Sequence, residues 1–371
     1  ALAQALGRVL AESVTSRIDV PGWNNSAMDG YAVNSSDLQA SGESLPVSQR
    51  IPAGCAAEPL QPRTAARIFT GAPVPAGADA VVMQEQCEAQ GDRVIINTDV
   101  KSGSNIRLAG EDIGRDQLII DAGERLKPQH LGLAASVGVA ELTLYKPLRV
   151  AVLASGDELV MPGQPLRPGQ IYNSNLFTTN GLLQSLGCEV VAAEMVEDTL
   201  EATKAALRQA ADKADLVLAS GGVSVGEEDH VKPAVEALGE LNMWKLAIRP
   251  GKPVAFGHIG DTPFIGAPGN PVSLFVTFVL FARPFILKSM GVSDYLPKIL
   301  EVKAGFDWLR PDKRREFHRA RLQQAESGGV EVVVHPSRSS AVLSSVVWAD
   351  GLVMIGESQK IARGDTVRYL P

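Results

Sequence analysis

From Leu148 onward the chain alternates short, continuously apolar runs with stretches of helical period. The runs are Leu148–Ala154, Glu189–Val196 and Asp215–Ala219, and helices are predicted around Leu176–Leu186 and from Leu200 to Ala211. Strands apolar on both faces and separated by helices require a parallel sheet covered on each side. This is the strongest constraint in the sequence, because ligands of such sheets gather at the carboxyl ends of the strands.

The rest of the chain falls into unequal parts. Its 371 residues suffice for two or three domains at roughly 150 residues each. Leu2, Leu6, Val9, Leu10 and Val14 recur at helical spacing, so Ala1–Val14 reads as a helix. The stretch from Ile18 to about Arg107 is rich in Pro, Gly and short β-like runs and predicts a small β-rich domain. Pro128 suits the first turn of a helix that continues through Leu131, Leu133, Ala134 and Val137 and stops at Gly138, packed on the opening helix. The most apolar run, Val272–Ala282, is closed by Arg283-Pro284. It falls short of the roughly 20 residues of a membrane span and reads as part of a buried helix reaching Leu287. Short β-branched runs such as Val330–His335 and Leu352–Ile355 then predict a terminal β-barrel. The expected class is a multidomain α/β protein, divided at 1–22 with 111–147, 23–110, 148–290 and 291–371.

Charge and cysteine usage narrow the function. Lys and Arg number 35 against 42 Asp and Glu, a net charge of −7, which disfavours a uniformly basic nucleic-acid surface and leaves anions to local cation clusters. Cys55, Cys87 and Cys188 are too few and too scattered for a disulfide framework or a structural zinc site, which fits a reducing cytoplasm. The first residues carry no basic leader with a cleavage site and no initiator Met, so the expected start lies after a trimmed segment. The five histidines lack metal-ligand spacing. Signatures of serine hydrolase elbows, zincins and P-loops are missing from the sequence.

Three loops after sheet strands place acids beside small residues: Ser155-Gly156-Asp157-Glu158-Leu159, Val196-Glu197-Asp198, and Ser220 to Asp229. Glycines let backbone N–H groups approach phosphate, while Asp and Glu suit a hard cation such as Mg²⁺. Singly, each is ordinary turn chemistry; three on one sheet edge suggest a nucleotide with a metal. Lys245 to Pro253 holds Lys245, Arg249 and Lys252 within eight positions, suiting either an oxyanion or a solvated turn. Gly266 to Ser273 sets a rigid turn before the apolar helix, where free N–H groups or Ser273 could hold an anion, unless the turn is only a cap. The Asn24–Ala32 and Ile106–Ile113 loops, dense in polar residues, resemble no folding device. Glu316-Phe317-His318-Arg319, following the basic run Lys313-Arg314-Arg315, reads on charge grounds alone as a solvated face.

Seven ordered motifs resemble the MoeA family of molybdopterin molybdenumtransferases, which includes the gephyrin E domain. They are Asn25–Ala32 (NSAMDGYA), Thr70–Pro75 (TGAPVP), Gly110-Glu111-Asp112, Ser155–Leu159 (SGDEL), Ser220–Gly226 (SGGVSVG), Pro250–Pro253 (PGKP) and Pro268–Ser273 (PGNPVS). The resemblance covers nearly the whole chain. It implies a four-domain homodimer whose cleft joins the α/β domain of one subunit to the small β-rich domain of the other. The implied reaction takes adenylated molybdopterin and molybdate as substrates, transfers molybdenum to the dithiolene sulfurs and releases AMP with Mg²⁺ as cofactor.

By resemblance, Asp198 and Asp229 hold Mg²⁺ with Glu158 nearby, and Ser220, Gly221, Gly222 and Ser224 line the phosphates. Lys245, Arg249, Lys252, Pro253, Pro268, Pro271 and Ser273, joined by Arg319 and Ser344 of the terminal domain, form the substrate site around molybdate. Asp29, Thr70, Arg107 and Asp112 complete the cleft from the partner subunit. Catalytic roles are expected of Asp29, Thr70, Asp112, Glu158, Asp198 and Asp229. Asn24 stands where many members carry Asp, Arg249 replaces a frequent Lys and Ala267 a frequent Leu. Arg249 keeps the charge but presents a planar fork. The resemblance also implies transient contact with a molybdopterin adenylyltransferase and with cofactor-accepting enzymes, and no nucleic-acid or membrane partner. Two competing functions are a gephyrin-E-like scaffold and the adenylation of molybdopterin itself, whose enzyme shares the α/β domain.

Overall fold

The apolar runs after Leu148 become the inner strands of a six-stranded sheet. In chain order its strands are β1 (Arg149–Ser155), β2 (Glu189–Val196), β3 (Leu216–Ser220), β4 (Gly239–Lys245), β5 (Pro253–Ile259) and β6 (Thr262–Ala267). The computed structural model describes residues 1–38, 41–221, 230–251, 253–326 and 328–371, and the side chains of 243–245 and 253 are left aside. The spatial order is β2-β1-β3-β6-β5-β4. Four strands run parallel, as the continuous apolar runs predict, but β5 and β4 add antiparallel, so the sheet is mixed. Only two residues separate β5 from β6, too short for a crossover and long enough for a hairpin.

Alternation along the strands splits the core between two faces. Val150, Val152, Leu216, Leu218 and Ile265 pack on one side against α1 (Ser174–Leu186) and the helical run Pro271–Ser289. Ala151, Leu153, Val217, Ala219 and Phe264 pack on the other against α2 (Leu200–Lys213) and α3 (Val231–Leu238). Asn173 caps α1 by accepting the Leu176 N–H, and Thr199 caps α2 by accepting that of Ala202.

The Pro271–Ser289 run is 19 residues long with a mean hydropathy of 1.6, enough by length and composition to cross a membrane, yet half of it is buried inside the fold. It is a core helix. A π turn at Phe278–Ala282 ends two residues before Pro284. The widened turn accommodates a residue that lacks an N–H and crowds the carbonyl four positions back.

The helix also carries the terminal β-barrel. Strands 300–304, 315–324, 330–334, 351–355 and 366–370 close into a ring, because 315–324 pairs with both 330–334 and 351–355. Val272 and Val276 meet Phe317, Leu352 and Leu370 in a shared apolar cluster. In addition, Ile248-Arg249 pairs in parallel with Arg315-Glu316, so the loop after β4 is an added strand of the barrel.

The chain divides into two units. One comprises 1–6, 10–122 and 126–143; the other comprises 7–9, 123–125 and 144–371. The first contains a six-stranded sheet in the spatial order 80–83, 30–33, 65–68, 43–51, 93–96, 87–90, and a helix at Pro128–Ser136 with Pro at its start. The opening helix predicted for Ala1–Val14 is not there. Only Leu2–Gln4 makes a 3₁₀ turn; Gly7 then takes φ +76°, Val9 bridges Arg125, and Val14–Thr15 pairs with Leu118–Ile120. The helical spacing of apolar residues was coincidental, since Leu6 is 57% exposed while Val9 and Leu10 are buried in extended chain.

Candidate functional site

In the second unit, the carboxyl ends of β1, β2, β3 and β6 open into a cleft of about 1180 Å³. Its wall on the sheet side is made largely by strand ends and turns: Ser155, Gly156 and Glu158 at and after the end of β1, Asp198 after β2, Ser220 and Gly221 at the end of β3, and Pro268–Pro271 after β6. Asp198 is half-buried and its Oδ1 accepts a 2.8 Å bond from the Ser155 hydroxyl, whereas Glu158 is exposed. Gly221 is held at φ +85°, and a Cβ there would lie 2.9 Å from the Ser155 carbonyl oxygen. Only glycine brings the β3 turn this close to the β1 loop. Asn175 donates a 2.6 Å bond to the Gly269 carbonyl, tying the start of α1 to the turn before the long helix.

That turn is not an open anion hole throughout. Pro271 and a buried Ser273 line the cleft, but the Val272 N–H is already bonded to the Ser340 carbonyl at 3.0 Å. The barrel's 337–341 loop therefore docks on the helix start.

The opposite wall is cationic and made of side chains. Arg249, Arg314 and Arg338 line it together with Ser339 and Ser340. Asp312 receives Arg249 Nη1 at 2.8 Å and both Nε and Nη2 of Arg314 at 3.1 and 3.2 Å. These bonds, those from Arg314 first, hold the Asp312 carboxyl far below the usual carboxylate range. Arg338 donates to Glu316 Oε1 at 2.7 Å and lies over the Trp308 ring. The segment Glu316–Arg319 is buried, not the solvated face that its charge suggests: Arg319 stands behind this wall, 1% exposed, with Nε on the Ser345 hydroxyl and Nη2 on the Ser337 and Ser339 carbonyls. It braces the loop that lines the cleft, and the exposed Ser344 sits next to its partner Ser345.

The predicted residues Gly222, Ser224, Asp229 and Lys252 lie outside the described residues, as do the side chains of Lys245 and Pro253. In the first unit, Asp29 Oδ1 accepts both the N–H and the hydroxyl of Thr70, each at 2.7 Å. The backbone bond, then the hydroxyl bond, lowers the Asp29 pKa. Arg107 pairs opposite Asn25, and Asp112 is exposed with its N–H on the Val20 carbonyl.

Comparison with known proteins places these features in one family. The chain matches the MoeA N-terminal region (domain I and II) over residues 1–138, a probable molybdopterin binding domain over 151–288 and the MoeA C-terminal region (domain IV) over 301–371. The chain belongs to the MoeA family. A molybdopterin molybdenumtransferase of Haemophilus influenzae is 40% identical, with 100% of this chain and 92% of the relative aligned. A molybdopterin molybdenumtransferase 2 of Mycobacterium tuberculosis is 39% identical over 96% and 90%. A molybdopterin biosynthesis MoeA protein from Pyrococcus horikoshii superposes with TM-score 0.84 at 28% identity, covering 100% of this chain and 93% of that one.

Among the cleft residues that escaped the sequence reading of this MoeA-family chain are Arg314, Arg338 and Asn175. Arg314 was hidden in a basic run, whose Arg315 does face outward to Glu357. Asp312, two residues earlier, was the available signal. Nothing local announces Arg338 or Asn175.

Proposed function

We propose that this chain transfers molybdenum from molybdate to adenylated molybdopterin with release of AMP, acting as a transferase of molybdenum cofactor biosynthesis. One observation carries the reading beyond family membership: a single cleft presents Asp198, Glu158 and the β3 turn on one wall and guanidinium groups on the other. A phosphoanhydride and an oxyanion repel each other, and a site that joins them must supply both a hard-cation ligand and fixed positive donors.

The chain's own groups then have distinct tasks. The Ser220-Gly221 turn offers backbone close to phosphate oxygens, and Ser155 orients Asp198 by its hydrogen bond. Arg249 and the start of the long helix at Ser273 face the oxyanion, and Arg319 keeps the 337–341 loop in place. The donor set suits Mg²⁺, which binds through one or two carboxylates plus substrate phosphates and keeps its waters. Among the described residues there is no cluster of three His, Cys, Asp or Glu that would cage an ion without substrate. Asp198 would hold the metal with Asp229, and when bound it would neutralise charge on the anhydride.

With this reading go a homodimer in which Asp29, Thr70, Arg107 and Asp112 serve the cleft, a cytoplasmic location, and the four-region division given above. The test is direct. Purified protein supplied with adenylated molybdopterin, molybdate and Mg²⁺ is expected to release AMP, and no release at saturating substrate refutes the proposal. Supplying ATP and unadenylated molybdopterin instead is expected to yield no pyrophosphate.

A further inference from the structure

Of the three arginines on the cationic wall, Arg338 has both terminal nitrogens engaged, on Glu316 and on the Arg310 carbonyl. Arg314 differs. Its Nε and Nη2 grip Asp312, while Nη1 has no hydrogen-bond partner among the described residues. Arg249 gives only Nη1 to the same carboxylate, and its Nε and Nη2 have no hydrogen-bond partner among the described residues. The Arg314 N–H also bonds Asp312 Oδ1 at 3.0 Å, which fixes the carboxylate against its own turn. One acid therefore sets two guanidinium planes, each with donors left over, in a cleft about 1180 Å³ in volume.

We propose that Arg314 binds a tetrahedral oxyanion in this cleft and that Asp312 is a positioning residue yoking Arg314 and Arg249 into one two-guanidinium clamp. The proposal rests on the transferase reading for the nature of the anion. Two cations minus one anion leave a net charge of +1, enough to attract an oxyanion. The shared carboxylate removes much of the ordering cost that two free arginine side chains would bring to binding. Such donors discriminate by geometry as well as charge, because planar forks match tetrahedral oxyanion edges.

The experiment titrates the full chain with molybdate and, separately, with inorganic phosphate at fixed ionic strength by calorimetry. Arg314→Gln is expected to weaken binding about tenfold, Arg314→Lys to restore part of it, and Arg315→Gln to match the unaltered chain. Asp312→Asn separates the two roles of the acid. Charge alone predicts tighter anion binding when Asp312 is neutralised; positioning predicts weaker binding, the expected result. The anion that loses more affinity identifies the occupant as molybdate or as a phosphate group. No binding by the unaltered chain, or unchanged affinity in Arg314→Gln, overturns the clamp, and tighter binding in Asp312→Asn overturns the positioning role.

AMP release run in parallel keeps the readings apart. Arg314→Gln should raise KM for the anion while kcat holds. Absent release with the binding losses intact removes only the transferase reading, and normal release with no Arg314 effect removes only the clamp.

Discussion

The α/β domain and the terminal barrel bury very different residues. Between β1 and the long helix, the described buried polar side chains are hydroxyls and amides such as Asn173, Thr179, Thr203, Ser220 and Ser273, whereas the barrel encloses Glu316, His318, Arg319 and Glu331. One wall of the cleft is accordingly built from strand ends and turns over an apolar core. The other is built from side chains held by internal charges. The difference teaches where each wall is vulnerable: backbone geometry on one side, partner loss on the other.

The largest effect should come from the acid on the sheet side. Asp198→Asn keeps the Ser155 contact within reach but removes the charge, and AMP release is expected to fall about a thousandfold. A loss of tenfold or less, measured under single-turnover conditions, would place the chemistry on the barrel side and break the division. Next comes Arg319→Ala, which strips the Ser337 and Ser339 carbonyls of their guanidinium donor and leaves the Ser345 hydroxyl only its bond to the Val342 carbonyl. A destabilisation of about 3 kcal/mol is expected, read as a lower barrel transition in thermal unfolding, with the sheet's transition little moved.

Gly221→Ala probes the opposite wall. The added methyl meets the Ser155 carbonyl at a left-handed φ, and a cost of about 2 kcal/mol should appear with weakened AMP affinity and unchanged molybdate affinity.

The smallest effect, taken per pH unit, is graded with pH. Burial, then the neighbouring Arg319 and Arg338 charges, push the His318 pKa from 6.5 down to about 3. The folded barrel therefore binds fewer protons than the unfolded chain between these values. Stability from this group is complete above pH 6.5 and declines by about 1.4 kcal/mol per unit as pH falls toward 3. Denaturant titrations at pH 7 and 5 should show this slope, and His318→Phe should flatten it.

Much of the sheet side was legible in the sequence because a strand buried on both faces writes itself as an unbroken apolar run, as Val150–Ala154 and Leu216–Ala219 do. The acid loops followed from their places after those runs. The barrel side was less legible. Arg319 carries no local mark that distinguishes a buried guanidinium from a solvated one, and its partners are carbonyls 18 and 20 residues away. Arg314 and Arg315 are adjacent and alike, yet one turns into the cleft and the other outward, a choice set by Asp312 and the barrel register. The opening segment failed for the converse reason: Leu2, Leu6, Val9 and Leu10 share a spacing without sharing a face.

The pairing of Ile248-Arg249 with Arg315-Glu316 stitches the loop after β4 to the barrel by main-chain hydrogen bonds. Any breathing of the cleft that swung the barrel outward would have to unpick that seam, along with the Val272–Ser340 bond. The guanidinium side of the cleft is thereby a fixed doorpost, tied to the α/β domain at two points.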